Sequence, residues 1–284
     1  GKDKPCFIIA EAGVNHNGNV TLAEKLILAA AKAGADAIKF QTFKAEGVCD
    51  ENQVWTYTSR GRQITERRIE IFRRCELPDD AWPLLKAAAD SEGIMFLSTP
   101  QNPSDLDILL EVGIPAIKIG SDDFSNLDMI RYCGRDDVAL PIILSCGMAT
   151  MEDCKTTVGE LLMTQTAILV CTSEYPCLPE NVNLKRMLEL RKHFPWIEVG
   201  FSDHTIGNRA ALAAVGLGAA IIEKHFTLDH ELDGPEHWYA ADPMELLHYV
   251  EAIRNAHACM GDGRIAPTDT ELLTREQYRR KATA

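Results

Sequence analysis

The chain has 284 residues, 46% hydrophobic and 25% charged, with a formal net charge of -13 at pH 7. Such a composition supplies a large core and excludes a disordered chain. The acidic balance argues against a nucleic-acid or anionic-membrane surface, because both would gain affinity from excess Lys and Arg. No apolar run approaches the roughly 18 residues of a membrane span, and residues 1–5 (GKDKP) lack the apolar stretch of a signal peptide, Gly1 reading as a tag remnant. Nine cysteines without a C-x-x-C pair read as reduced thiols, which points to the cytoplasm.

Eight short apolar runs follow one another along the chain: 6–12 (CFIIAEA), 37–42 (AIKFQT), 94–99 (IMFLST), 116–121 (AIKIGS), 141–146 (PIILSC), 167–173 (AILVCTS), 198–204 (EVGFSDH) and 220–226 (AIIEKHF). Segments with apolar positions three or four apart separate them, at 21–33, 79–91, 104–112, 127–133, 151–164, 184–194 and 208–217, and an eighth at 243–260 follows the last run. Thr21, Asp79, Ser104 and Asp242 are expected helix caps, and Gly34, Gly93 and Gly113 expected stops. Eight strands, each followed by a helix, predict a single α/β domain, a (β/α)8 barrel of TIM type over residues 1–262. A doubly wound sheet is the alternative, but no G-x-G-x-x-G follows the first strand. Residues 43–70 read as a long irregular loop, either a lid over the site or a solvated excursion. Residues 263–284 read as a polar tail or truncated linker.

Barrel chemistry sits at the carboxyl ends of strands, so polar residues closing apolar runs are the candidates. Glu11, Lys39, Gln41, Ser98, Thr99, Lys118, Ser121, Ser145, Thr172, Ser173, Ser202, Asp203, His204, Lys224 and His225 are such residues. A lysine in an apolar strand is costly unless paired. Two of them, Lys39 and Lys118, among hydroxyls on neighbouring strands suit a phosphate and a carboxylate better than a purely structural ion pair. His204 and His225 end consecutive strands and could reach one metal ion; two imidazoles completed by oxygen suit Mn, Fe, Co or Zn better than Mg. Glu11 could ligate that metal, act as a base or cap the following turn. Asp122 and Asp123 carry the same alternatives.

The motifs FIIAEAGVNHNGN (7–19), IKFQT (38–42), FLSTP (96–100), IKIGS (117–121), ILSCGM (143–148), CTSEYP (171–176), GFSDHT (200–205) and EKHFTLD (223–229) together resemble the barrel domain of sialic acid synthases and their legionaminic, pseudaminic and spore-coat relatives. The resemblance runs from about residue 5 to 281. It implies condensation of phosphoenolpyruvate with an N-acylaminosugar aldehyde such as N-acetylmannosamine, giving a sialic-acid-like 2-keto acid and phosphate. By that likeness Lys39, Thr99, Lys118, Ser121, Ser145, Ser173 and Ser202 hold phosphoenolpyruvate, while His204 and His225 hold the metal, Mn being expected and Mg, Co or Zn the alternatives. Glu11 would handle water and its protons, and Gln41 and Tyr175 the sugar.

Three departures stand out. The family's G-S-G-E is Gly120-Ser121-Asp122-Asp123 here, with Asp123 in the role of the catalytic-site acid that touches the sugar. Its P-G-P-D-H is Asp233-Gly234-Pro235-Glu236-His237. Its C-terminal antifreeze-like domain is not expected after residue 281, so either a different aldose is used or a homodimer partner or a separate protein completes the sugar site. These departures leave two other readings: a non-catalytic or partner-dependent barrel that binds a phosphorylated metabolite, and an aldolase acting through a lysine Schiff base.

Overall fold

A computed structural model describes residues 4–161 and 164–280. Residues 162–163 of the expected helix at 151–164, and the two ends at 1–3 and 281–284, lie outside the described residues. The elements in chain order are β1 (Phe7–Gly13), α1 (Val20–Lys32), β2 (Ala37–Thr42), β3 (Val54–Ser59), β4 (Arg62–Arg67), α2 (Arg68–Cys75), α3 (Ala81–Glu92), β5 (Met95–Pro100), α4 (Pro103–Val112), β6 (Ile117–Ile119), α5 (Leu127–Cys133), β7 (Ile142–Ser145), α6 (Met151–Gly159), β8 (Thr166–Val170), α7 (Pro179–Val182), α8 (Arg186–His193), β9 (Glu198–Asp203), α9 (Arg209–Gly216), β10 (Ile221–His225), α10 (Pro243–Met260) and α11 (Asp269–Tyr278).

Eight strands form one sheet in the order β5-β2-β1-β10-β9-β8-β7-β6, every neighbouring pair parallel. Its two edge strands, β5 and β6, come into contact, which wraps the sheet into the expected (β/α)8 barrel. The expected runs all become strands of this sheet.

Side-chain alternation divides each strand between two environments. Ile8, Ile38, Phe40, Phe96, Ile117, Ile119, Ile142, Leu144, Ile168, Val170, Val199, Phe201 and Ile222 point outward into the layer shared with the helices. That layer also takes Leu26 and Ile27 of α1, Trp82 and Leu85 of α3, and Leu246 and Ile253 of α10, each buried aliphatic or aromatic side chain contributing roughly 1.5–3 kcal/mol. The inner face begins with an apolar plug of Ile9, Ala37, Leu97, Ala116, Ile143, Ala167 and Leu169, closed below by Phe7 and Ile221. One pleat further along each strand the inner face turns polar, so the plug becomes the floor on which the polar groups stand.

Asp242 caps α10 as expected, its carboxylate accepting from Met244 and Glu245. The caps of α1 and α4 lie two residues before those expected, at Asn19 and Asn102, because α1 starts one residue earlier than the apolar spacing implied and Pro103, with its fixed φ and missing N–H, takes the first turn of α4. Asp80, not Asp79, precedes the first turn of α3, and its side chain makes no capping hydrogen bond. Gly93 and Gly113 end α3 and α4 in the left-handed conformation.

The stretch read as an irregular loop is structured. VWTYTS and RQITER pair as an antiparallel hairpin, β3 with β4, across Arg60-Gly61, both at positive φ (48° and 68°). Two residues at positive φ give a turn whose twist matches that of the strands. Trp55, Tyr57 and Ile64 then pack on a second small core of Val14, Phe43, Ala45, Ile69, Ile71, Phe72 and Cys75. The segment read as a tail carries α11, whose described side chains are exposed apart from half-buried Thr274, opened by a Thr268–Glu271 capping box. No described helix is long and apolar enough to cross a membrane.

Candidate active site

A cavity of about 780 Å3 opens at the carboxyl ends of the strands. Its floor is a buried square of charge. Lys39 Nζ lies 2.6 Å from Glu11 Oε2 and 3.9 Å from Glu223 Oε2, and donates to Thr99 Oγ1 at 2.9 Å. Lys118 Nζ lies 3.7 Å from Glu223 Oε1 and donates to Ser145 Oγ at 2.7 Å. Ser202 Oγ donates to Glu223 Oε1 at 3.0 Å, and Gln41 Nε2 to Glu11 Oε1 at 3.3 Å. All these residues stand on the inward face set by the register: Glu11 pairs with Lys39 on one side and His225 on the other, and Glu223 pairs with Ser202.

Burial and neighbours divide the two carboxyls. Burial alone would raise Glu223, but Lys118 and Lys39 on either side outweigh it and hold the group ionised, down to about 2. Glu11 is pushed up by burial, only partly offset by Lys39. The lysines divide likewise: burial lowers both, yet Glu11 and Glu223 carry Lys39 above its ordinary value while Lys118 stays below. A floor with one carboxyl held ionised, a second raised above its ordinary value and two lysines beside them can neutralise an anion and exchange a proton with it.

Beside the floor, Ser121 Oγ accepts from the Gly147 N–H at 3.1 Å and lies 3.1 Å from Cys171 Sγ. A Cβ at position 147 would come within 2.5 Å of Ser173 Oγ and 2.6 Å of Ser121 Oγ, so glycine leaves a notch between the two hydroxyls. Ser173 Oγ has no partner among the described residues. A buried hydroxyl without a partner marks a place where a ligand oxygen belongs.

His204 and His225 close β9 and β10 on one wall, their ring centroids 5.4 Å apart. His204 Nδ1 is 2.6 Å from the Thr172 carbonyl oxygen, a contact that only a protonated Nδ1 satisfies, leaving Nε2 with its lone pair. Burial, reinforced by His225, holds this imidazole neutral, down to about 3. His225 Nδ1 faces Glu236 Oε2 at 3.3 Å without hydrogen-bond alignment, and neither atom has another partner among the described residues. Although burial lowers it, His225 is carried above its ordinary value, chiefly by Glu236. His225 Nδ1 and Glu236 Oε2, buried without a partner among the described residues, offer with His204 Nε2 the donor types a divalent metal takes, although the three atoms do not all lie within 4.8 Å of one another. Tyr175 covers the pair, its ring 4.3 Å from His204 and 5.6 Å from His225.

The remaining sequence candidates divide. Asp123 does not reach the cavity: it starts the turn into α5, half-buried, with Oδ1 accepting from Asn126 Nδ2 at 2.8 Å, while Asp122 lines the cavity instead. The extra methylene of the family's Glu is what position 123 lacks. Lys224 and Asp203 point outward, into the helix layer, where they lie 3.4 Å apart and Tyr249 donates to Asp203 at 2.8 Å. Ser98 also points outward, to Thr42 at 2.7 Å, and Thr172 holds Arg186. Sequence reasoning missed Glu223, Glu236 and Tyr239. For Glu223 the signal was available: in E-K-H the first and third residues share a face, so His225 inward requires Glu223 inward and Lys224 outward.

The NeuB family profile matches residues 26–265. The chain belongs to the NeuB family. It is 38% identical over 291 residues to the N,N'-diacetyllegionaminic acid synthase of Legionella pneumophila, which covers all of this chain and 81% of that protein. The human N-acetylneuraminate-9-phosphate synthase is 32% identical over 290 residues, covering all of this chain and 79% of that one. Among solved structures, the N-acetylneuraminic acid synthetase of Leptospira borgpetersenii in complex with citrate superposes with a TM-score of 0.85 at 32% identity, over 98% of this chain and 94% of that one. This NeuB family chain is an enzyme of the sialic acid synthase type, as the motif resemblance implied.

Proposed function

We propose that the chain condenses phosphoenolpyruvate with the open-chain aldehyde of an N-acylamino aldose, N-acetylmannosamine or a relative, giving a 2-keto-3-deoxy sugar acid and inorganic phosphate. The observation that carries this reading is the convergence of Lys39, Lys118, Thr99 and Ser145 on one buried floor beside the Ser121–Gly147–Ser173 notch. Two ammonium groups and a ring of hydroxyls match a molecule with a phosphate at one end and a carboxylate at the other. The enol carbon bonds to the aldehyde carbon, whose oxygen takes a proton. Water then adds to the enolpyruvyl C2 and loses its proton, and cleavage of the C2–O bond releases phosphate and leaves the ketone. Glu11, pushed up by burial and hydrogen-bonded to Gln41, is the carboxyl suited to hold and pass these protons. Glu223, held ionised, fixes the two lysines, and Tyr175 with Gln41 faces the sugar.

His204 through Nε2, with His225 and Glu236 through their unpartnered atoms, would hold a divalent ion, whose nitrogen donors favour Mn, Co or Zn over Mg. Bound there, the ion supplies Lewis-acid polarisation of the aldehyde oxygen. Phosphate release from phosphoenolpyruvate and Mn, measured across N-acylhexosamines, hexoses and pentoses, tests the reading. Release that requires an aldose supports it; binding of phosphoenolpyruvate by calorimetry with silence on every aldose replaces it with a metabolite-binding barrel.

A further inference from the structure

Behind the histidine wall lies a second buried group of charges that the chemistry above does not use. Lys224 and Asp203 are direct partners in the ladder between β10 and β9, and His225 and His204 are the next residues along the chain from each. Asp203 Oδ2 lies 3.4 Å from Lys224 Nζ and accepts from the Tyr249 hydroxyl of α10 at 2.8 Å. Asp203 Oδ1 accepts from the Thr205 N–H at 2.9 Å and from the Thr205 hydroxyl at 2.7 Å, so one carboxylate clasps the turn that carries His204. Lys224 Nζ donates to the Thr205 carbonyl in the same turn and reaches the Gly207 carbonyl at 3.5 Å. From the other side, the His204 carbonyl accepts from the Cys177 N–H at 2.8 Å. Lys224, Asp203, Thr205 and Tyr249 are all buried.

Exchanging a buried ion pair for apolar groups of similar volume is often neutral for stability, so stability alone does not account for this one. What it holds does. Apolar residues would fill the helix layer equally well, but they would not tie the β10 backbone beside His225 to the turn around His204. Resting on the metal site proposed above, we propose that Lys224, Asp203 and Tyr249 are positioning residues, a clamp across β9 and β10 that fixes the spacing and orientation of the His204 and His225 imidazoles. Ligands held in place bind an ion more tightly than ligands that binding must first order. None of the three side chains lines the cavity, so the clamp touches neither the ion nor the substrate. Lys39, Thr99 and Lys118 of the floor stand on β2, β5 and β6, outside its hydrogen bonds. The clamp therefore acts on metal affinity and spares phosphoenolpyruvate.

The test titrates Mn into the metal-free protein, followed by paramagnetic resonance, and phosphoenolpyruvate into the same metal-free protein, followed by calorimetry. Lys224→Met is expected to raise the Kd for Mn by about tenfold or more. Tyr249→Phe, which keeps the ring and removes one hydrogen bond to Asp203, is expected to raise it by about threefold. Both should leave the Kd for phosphoenolpyruvate within about twofold, whereas a clamp that served stability alone would lower the melting temperature and move neither Kd. Unchanged Mn affinity in Lys224→Met, or in Tyr249→Phe should the first variant not fold, overturns the proposal while leaving the metal site in place. Equal weakening of Mn and phosphoenolpyruvate overturns it as well. If the unaltered protein holds no Mn that His204→Ala and His225→Ala remove, the metal reading itself falls, and the clamp with it.

Discussion

The floor of the barrel and the hairpin above it are built on opposite principles. On the floor, Lys39, Lys118, Glu11 and Glu223 are each 2–5% exposed, held in strands by a ladder of parallel hydrogen bonds and supported beneath by an apolar plug. The hairpin rests on a separate small core, and its charged pairs lie in solvent. The groups proposed to meet the reacting atoms stand on the rigid element, while Val54 and Trp55 line the same cavity from the excursion.

Breaking the floor should have the largest effect. Lys118→Met is expected to lower kcat/KM for phosphoenolpyruvate by about 10²–10³-fold. It also leaves Glu223 with one cation fewer, at a stability cost of about 3–5 kcal/mol; a loss in rate below tenfold would contradict the anion-site assignment. Next, Phe72→Ala empties the centre of the small core and should cost about 3 kcal/mol. Hydrogen exchange should place that loss in the amides of β3 and β4 and leave β1 and β10 protected, with KM rising for the aldose and not for phosphoenolpyruvate. If the barrel strands loosen equally, the two regions are one unit and the contrast fails.

Intermediate in size, His225→Ala or His204→Ala should weaken Mn binding by more than the 10–100-fold that loss of an outer-shell partner costs, read by Mn paramagnetic resonance titration. Retained affinity would move the metal elsewhere. One alternative is the group of His230, Asp242 and Glu245 at the start of α10, the one set among the described residues whose ligand atoms all lie within 4.8 Å. That set is already occupied as a helix cap, Asp242 accepting from two backbone N–H groups and Glu245 from the Asp242 N–H. Smaller still, Gly61→Val places a β-branched residue at φ 68° and should destabilise the hairpin by about 1–2 kcal/mol, seen as faster proteolysis at its tip.

The smallest effect concerns pH. Arg74 first, with help from Tyr57, holds Glu66 below its ordinary value of 4.5 against the opposing push of burial. The folded value is therefore the lower one, so the stabilisation is complete above 4.5 and is lost as the pH falls through the folded value. Amide exchange in β4 should quicken below pH 4.5 while that of β1 holds; the reverse order would show that Glu66 is not what fastens the hairpin.

Much of the site was legible because strand periodicity is local. Once 37–42 reads as a strand, Lys39 and Gln41 must share a face, and eight such runs separated by helices leave few alternatives to a barrel. Glu223 was legible by the same rule but was overshadowed by Lys224, whose charge attracts notice although its parity sends it outward. The hairpin was obscured by its composition: Arg, Gln, Glu and Thr outnumber its apolar residues, and the pairing signal rests on the Arg60-Gly61 turn. Asp123 was misplaced because an aspartate just before a helix hydrogen-bonds locally, here to Asn126, as readily as it faces a ligand.

By itself the sequence determined the succession of strands and helices, the inward or outward sense of most strand side chains, and the residue types that close each strand, since all three follow from backbone periodicity over a few residues. Only the tertiary structure decided which carboxyl is held ionised and which is raised above its ordinary value, and that His225 Nδ1 is left unpartnered among the described residues. It also set which charged side chains line the cavity. Those properties depend on distances between residues up to two hundred positions apart in the chain and on the removal of water between them, and neither is written in any local pattern.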